Sequence, residues 1–177
     1  MARIPHDRQG AVRTALQQLH AGGTTAAYDA LYAAVALTDA LRPLVVLFTD
    51  GDDDASWLGP RQLREMVERS TAQIDIVAWR PLLDLESPAL ARSRRPSKTE
   101  QVWREVADSV GGQFLAADSA PRLAGAFAAI IDSICHRYVL RYSPTGVRKA
   151  GWHKIDVRLK SQKADVRARR GYWASPR

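Results

Sequence analysis

Leu44-Val45-Val46-Leu47-Phe48-Thr49-Asp50-Gly51-Asp52-Asp53-Asp54 decides how the rest of the chain is read. Five consecutive apolar residues, rich in β-branched and aromatic types, predict a strand buried on both faces. The strand stops at a carboxylate, a glycine turn and three further carboxylates. In open parallel α/β sheets, ligands bind just beyond the carboxyl ends of the strands. The acidic cluster therefore falls where such a fold does its chemistry, and hard oxygen donors there point to a divalent cation.

Working outward, residues 7–20 place Val12, Ala15, Leu16 and Leu19 on one helical stripe, which Ala21-Gly22-Gly23 ends. An alanine-rich helix is expected from about Thr25 to Leu41, broken by Arg42-Pro43 before the strand. After the acidic loop, Pro60 suits the first turn of a helix through Ser70, with Leu63, Met66 and Val67 inward. A second buried strand follows at Ile74–Trp79. Residues 80–98, with three prolines and Arg92, Arg94 and Arg95, read as a long surface loop. Ser97-x-x-Glu100 is a capping box for a helix that buries Val102, Trp103, Val106 and Val110 and ends at Gly111-Gly112. Gln113–Ala117 is a short third strand. Ser119 and Pro121 open a helix to about His136, with Leu123, Phe127, Ile130, Ile131 and Ile134 on its core face and Cys135 a buried thiol beside them.

From Arg137 the period becomes alternating. Tyr138, Leu140 and Tyr142, then Ile155, Val157 and Leu159, then Val166 and Ala168 predict antiparallel strands with one wet, basic face. The outline is a parallel α/β domain over residues 1–136 with a β-strand extension over 137–177 packed on it. Charge divides the same way. The net charge is +7, yet residues 137–177 hold 12 Lys/Arg against 2 Asp/Glu, while the body is mildly acidic.

Gly22-Gly23-Thr24-Thr25-Ala26-Ala27-Tyr28-Asp29-Ala30-Leu31, followed by LVVLFTDGDDD, resembles the second half of a von Willebrand factor type A domain. YVLRYSPTG (138–146) and VRARRGYWA (166–174) are similar to the carboxyl-terminal signature of a bacterial subfamily of such proteins. The resemblance runs over roughly residues 7–174. It implies a Rossmann-like three-layer sheet and a metal-ion-dependent adhesion site built from three loops. Those loops supply an Asp-x-Ser-x-Ser, a threonine after Gly-Gly, and the aspartate of Thr-Asp-Gly, and an acidic side chain from a partner protein completes the coordination. On this reading Thr25 and Asp50 are ligands of Mg²⁺ (Mn²⁺ or Ca²⁺ being the other candidates), Thr24 is the fallback for Thr25, and Asp53 has a supporting role. This chain has no Asp-x-Ser-x-Ser and nothing before residue 7 that reads as the family's first strand. The expectation is an amino-terminally truncated domain with weak or absent metal binding and an apolar sheet edge open to self-association.

Simpler readings stand beside these. An Asp/Gly-rich turn after a strand also serves as a solvated loop capping the next helix. Gly22-Gly23-Thr24-Thr25 also reads as a helix C-cap followed by an N-cap threonine. The tail interleaves aromatics with Lys/Arg as single-strand nucleic-acid platforms do, but alternation accounts for them as sheet faces. No enzyme is indicated: His6, His20, His136 and His153 are scattered, and neither a Gly-x-Ser-x-Gly elbow nor a P-loop ending is present. No apolar run is long enough for a membrane span, and no signal-peptide h-region is visible, although members of the resembled family are often extracytoplasmic. The chain is therefore expected to be a protein-interaction or adhesion module, with a degenerate scaffold or a basic nucleic-acid binder as the alternatives.

Overall fold

A computed structural model describes residues 6–20, 22–38, 41–80, 96–143, 145, 149–161 and 164–174. Helices α1 (His6–Gln17) and α2 (Ala27–Ala36) precede strand β1 (Leu44–Thr49). Helix α3 (Pro60–Arg69), strand β2 (Gln73–Trp79), helix α4 (Lys98–Ser109) and strand β3 (Phe114–Ala117) follow, then helix α5 (Ala120–Cys135). Strands β4 (Gly151–Lys154) and β5 (Gly171–Ala174) complete the described elements.

The strands β1, β2 and β3 form a parallel sheet in that order, with Leu44 opposite Gln73 and Ile76 opposite Phe114. β4 and β5 form a separate antiparallel pair, with Trp152 opposite Trp173. Parallel neighbours need crossovers, and α3 and α4 supply them. Both lie on one face with α2, where Tyr28, Leu31, Leu63, Val67, Trp103 and Val106 close over Ile74 and Ile76. On the opposite face α5 sets Ala126 and Ile130 against Val77. β2 is therefore sandwiched, and its five middle residues are buried.

The local signals that build this layer are direct. Pro60 starts α3, and the Gln62 side chain accepts from the Gly59 N–H at 3.1 Å. Ser97 Oγ accepts from the Glu100 N–H at 3.1 Å and caps α4. The reciprocal half of that capping box does not form, because the Glu100 carboxylate turns to Arg80 and Arg104. Gly112 ends α4 against β2: a Cβ there would lie 1.9 Å from the Ile74 carbonyl oxygen.

Several expectations are corrected. β1 is not buried on both faces. Val45 and Leu47 pack toward the core, but Leu44, Val46 and Phe48 stand on the α5 face, where α5 covers β2 and β3 and leaves β1 largely open. Phe48 is 52% exposed, and its ring lies 6.2 Å from that of Phe127 on α5, centre to centre. Ile131 and Cys135 are exposed for the same reason, since they lie on a flank of α5 that no element covers among the described residues. α2 ends at Ala36, leaving Leu37 and Leu41 in water. Leu16 and Leu19, of the amino-terminal stripe, are exposed too.

In the tail, Tyr138, Leu140 and Tyr142 form no strand and are exposed, and the alternating runs around 155–159 and 166–168 lie outside the ladder. Pairing occurs instead at Gly151–Lys154 and Gly171–Ala174, where Gly171 lets the Trp152 ring lie against the backbone. Arg169 donates to the Val67 and Glu68 carbonyls at 3.2 and 2.7 Å, satisfying the carboxyl end of α3. Most of the expected loop, residues 81–95 with Arg92, Arg94 and Arg95, lies outside the described residues.

Candidate functional site

The carboxyl ends of β1 and β2 form one rim of the sheet, and the loop after β1 is shaped there by its own side chains. Gly51 takes a φ of +100°, which its missing Cβ permits, and the Thr49 hydroxyl oxygen accepts its N–H at 3.0 Å. Asp50 Oδ1 accepts the Asp52 N–H at 3.3 Å, folding the loop back over the aspartate.

Residues 53–58 are then fastened to the start of α2 in both directions. Asp53 Oδ2 accepts the Tyr28 N–H at 2.9 Å, and Ser56 Oγ accepts the Asp29 N–H at 3.2 Å. The Ser56 hydroxyl donates to Asp53 Oδ2 at 2.6 Å. In return Asp29 accepts the Trp57 and Leu58 N–H groups at 2.9 and 3.0 Å. The Asp53 carboxylate and the Ser56 hydroxyl thus satisfy orphan N–H groups in the first turn of α2, whose own N-cap residue, Ala26, has nothing to offer. This arrangement replaces the expected threonine N-cap. Thr25 contributes its carbonyl instead, accepting the Asp54 and Ala55 N–H groups at 2.8 and 3.0 Å. Tyr28 is fixed below by Trp103, 4.8 Å away ring to ring, and burial pushes its phenol up, opposed by a hydrogen bond with Thr99.

The candidate ligands separate on this scaffold. Thr25 and Asp50 line the same shallow cleft of about 430 Å³, together with Thr49, Phe48 and Trp79. Thr24 is exposed and does not line it. Asp53 is outside the cleft as well, committed to the clasp with Tyr28 and Ser56. Asp52 and Asp54 point into solvent. Among the described residues, no group of three or more His, Cys, Asp or Glu is gathered to hold a metal.

Arg80 and Arg104, which sequence reasoning passed over, and Glu100, read there only as a capping-box partner, shape the same end of the molecule. Arg80, at the end of β2, approaches Gly51 and bonds Glu100, which is 2% exposed and also holds Arg104 at 2.6 Å. This buried carboxylate between two guanidiniums keeps positive charge near the rim without leaving an acid unpaired. A charge in the first turn of α4 beside the Ser97 cap was the visible signal, but it read equally as the capping-box partner.

At the amino end of the sheet a second groove, of about 540 Å³, runs between Gly111–Leu115 and the tail. Its arginines are largely engaged: Arg170 pairs with Asp108 at 2.5 Å, which holds its guanidinium up, and Arg169 caps α3, where burial pulls its guanidinium down. Comparison with known protein families, curated proteins and solved structures finds no match for this chain.

Proposed function

We propose that the protein is a non-enzymatic interaction module of the von Willebrand factor type A kind, on a Rossmann-like sheet. It takes an acidic side chain of a partner protein at the rim cleft. The observation that carries this reading is the meeting of Thr25 and Asp50, from loops 25 residues apart in sequence, in one cleft at the end of β1. A hydroxyl and a carboxylate are the hard oxygen donors that Mg²⁺ accepts, and Mg²⁺ ordinarily keeps several waters. They fit the ion in kind but fall short in number. Thr25 and Asp50 would hold it weakly, and the cation would supply an electrophilic centre for the partner's carboxylate. Asp53 supports the site by fixing the loop rather than by ligation.

The rival readings draw less support. Arg169, Arg170 and Arg158 spend their guanidiniums on carbonyls or carboxylates of the protein, which weakens the tail as a nucleic-acid surface. No helix among the described residues is long and apolar enough to cross a membrane. Thermal melting with Mg²⁺, Mn²⁺ or Ca²⁺ tests the proposal. A cation at about ten times its Kd adds roughly 1.4 kcal/mol of stability. That shift should vanish in Asp50→Ala and Thr25→Ala. An equal shift in Asp50→Ala removes the assignment, and no shift in the native chain favours a scaffold without metal.

A further inference from the structure

The open edge of β1 has a definite hydrogen-bonding pattern. In a parallel strand the N–H and C=O of one residue point to the same neighbour, and successive residues alternate between neighbours. The Pro43 carbonyl accepts the Gln73 N–H of β2 at 2.9 Å, so Val45, Leu47 and Thr49 also direct their backbone groups to β2. Leu44, Val46 and Phe48 direct theirs away from it, and among the described residues no strand lies there. The same residues carry the uncovered apolar side chains. No charge, proline or bulge guards the run, which are the usual protections of an edge strand.

This edge is self-complementary. In an antiparallel pairing of two β1 strands about a twofold axis through Val46, Leu44 lies opposite Phe48 of the partner subunit, and Phe48 opposite its Leu44. Every residue so paired is one whose backbone groups face outward, so every outward N–H meets an outward C=O. The side chains of these pairs share one face, where leucine covers phenylalanine across the join. Charge agrees with this register. Arg42 precedes the strand, Asp50 follows it, and both are exposed. The pairing brings Arg42 of each copy to the end of β1 where Asp50 of the other stands. A register shifted by one residue would face outward groups with inward ones and lose this match.

We propose that a second copy of this chain covers the edge of β1, joining two parallel sheets into one through an antiparallel β1–β1 ladder centred on Val46. The pairing rests on the edge and not on the cation reading.

Sedimentation velocity over a wide concentration range tests it, with circular dichroism to confirm folding. The native chain should dimerise reversibly. Val46→Pro removes an N–H that β2 does not use, so it should remain folded and become monomeric. Arg42→Glu should weaken dimerisation by about tenfold or more, and adding Asp50→Arg should restore it. Thr25→Ala should abolish any cation response while leaving the dimer intact, which keeps the two proposals separable. A chain that is monomeric at every concentration overturns the pairing, as does a folded Val46→Pro that dimerises like the native chain. If Val46→Pro unfolds, the charge swap decides: failure of the double variant to recover refutes the register.

Discussion

β1 and β2 are adjacent strands of one sheet, and the strand with the more apolar sequence is the less buried. LVVLFT carries no charge, yet three of its side chains face solvent. QIDIVAW contains an aspartate and is covered on both faces. Apolar content records how much a strand gains from burial. Its actual cover depends on the elements flanking it. β2 lies between two strands and two helical layers, whereas among the described residues the α5 side of β1 is largely open apart from the Phe48–Phe127 ring pair. Full burial of a large apolar side chain is worth about 1.5–3 kcal/mol, so each half-exposed residue of β1 forgoes roughly half of that.

The sharpest way to break this comparison is at Gly112. Its backbone presses on the Ile74 carbonyl with no room for a Cβ, so Gly112→Ala should cost about 3 kcal/mol or more in denaturant unfolding. A tolerated alanine would mean that β2 is not gripped at its amino end. Next comes Ile76→Ala, at a fully buried position between α3 and α4, with an expected loss of about 2–5 kcal/mol. The smallest effect belongs to Phe48→Ser, about 1 kcal/mol or less when measured on dilute monomer, because half of that ring is already in water. A Phe48 variant as costly as Ile76→Ala would show that the outer face of β1 is covered in solution.

The helices on the α2–α4 face were legible because their apolar positions repeat at helical spacing and their ends carry recognisable signals. Leu63 and Val67, Trp103 and Val106, and the Ser97 cap are where periodicity puts them. Three kinds of residue escaped that reasoning. Asp75 looks like an interruption of a buried strand. It is accommodated because its carboxylate accepts the Gln113 N–H at 2.7 Å and the Gln73 amide at 3.0 Å. Asp29 and Asp53 were not separable from the other aspartates by composition, since which carboxylate faces a helix end depends on how two distant loops meet. The tail failed differently: alternation runs through most of residues 137–170, so period alone could not fix which segments pair, and the pairing that forms is centred on Trp152 and Trp173. Thr25 and Asp50 were legible as candidates through the resemblance, but their presence in one cleft is a property of the folded rim.

The clasp between Asp29, Asp53 and Ser56 has a consequence for recognition. Its hydrogen bonds tie the segment 53–58 to the start of α2 and thereby hold the two loops bearing Thr25 and Asp50 in a fixed relation. The conformational entropy of those loops is lost when the chain folds, not when a ligand arrives. On the proposed reading, a partner reaching the cleft would meet a preorganised surface, with little ordering of the receptor to offset.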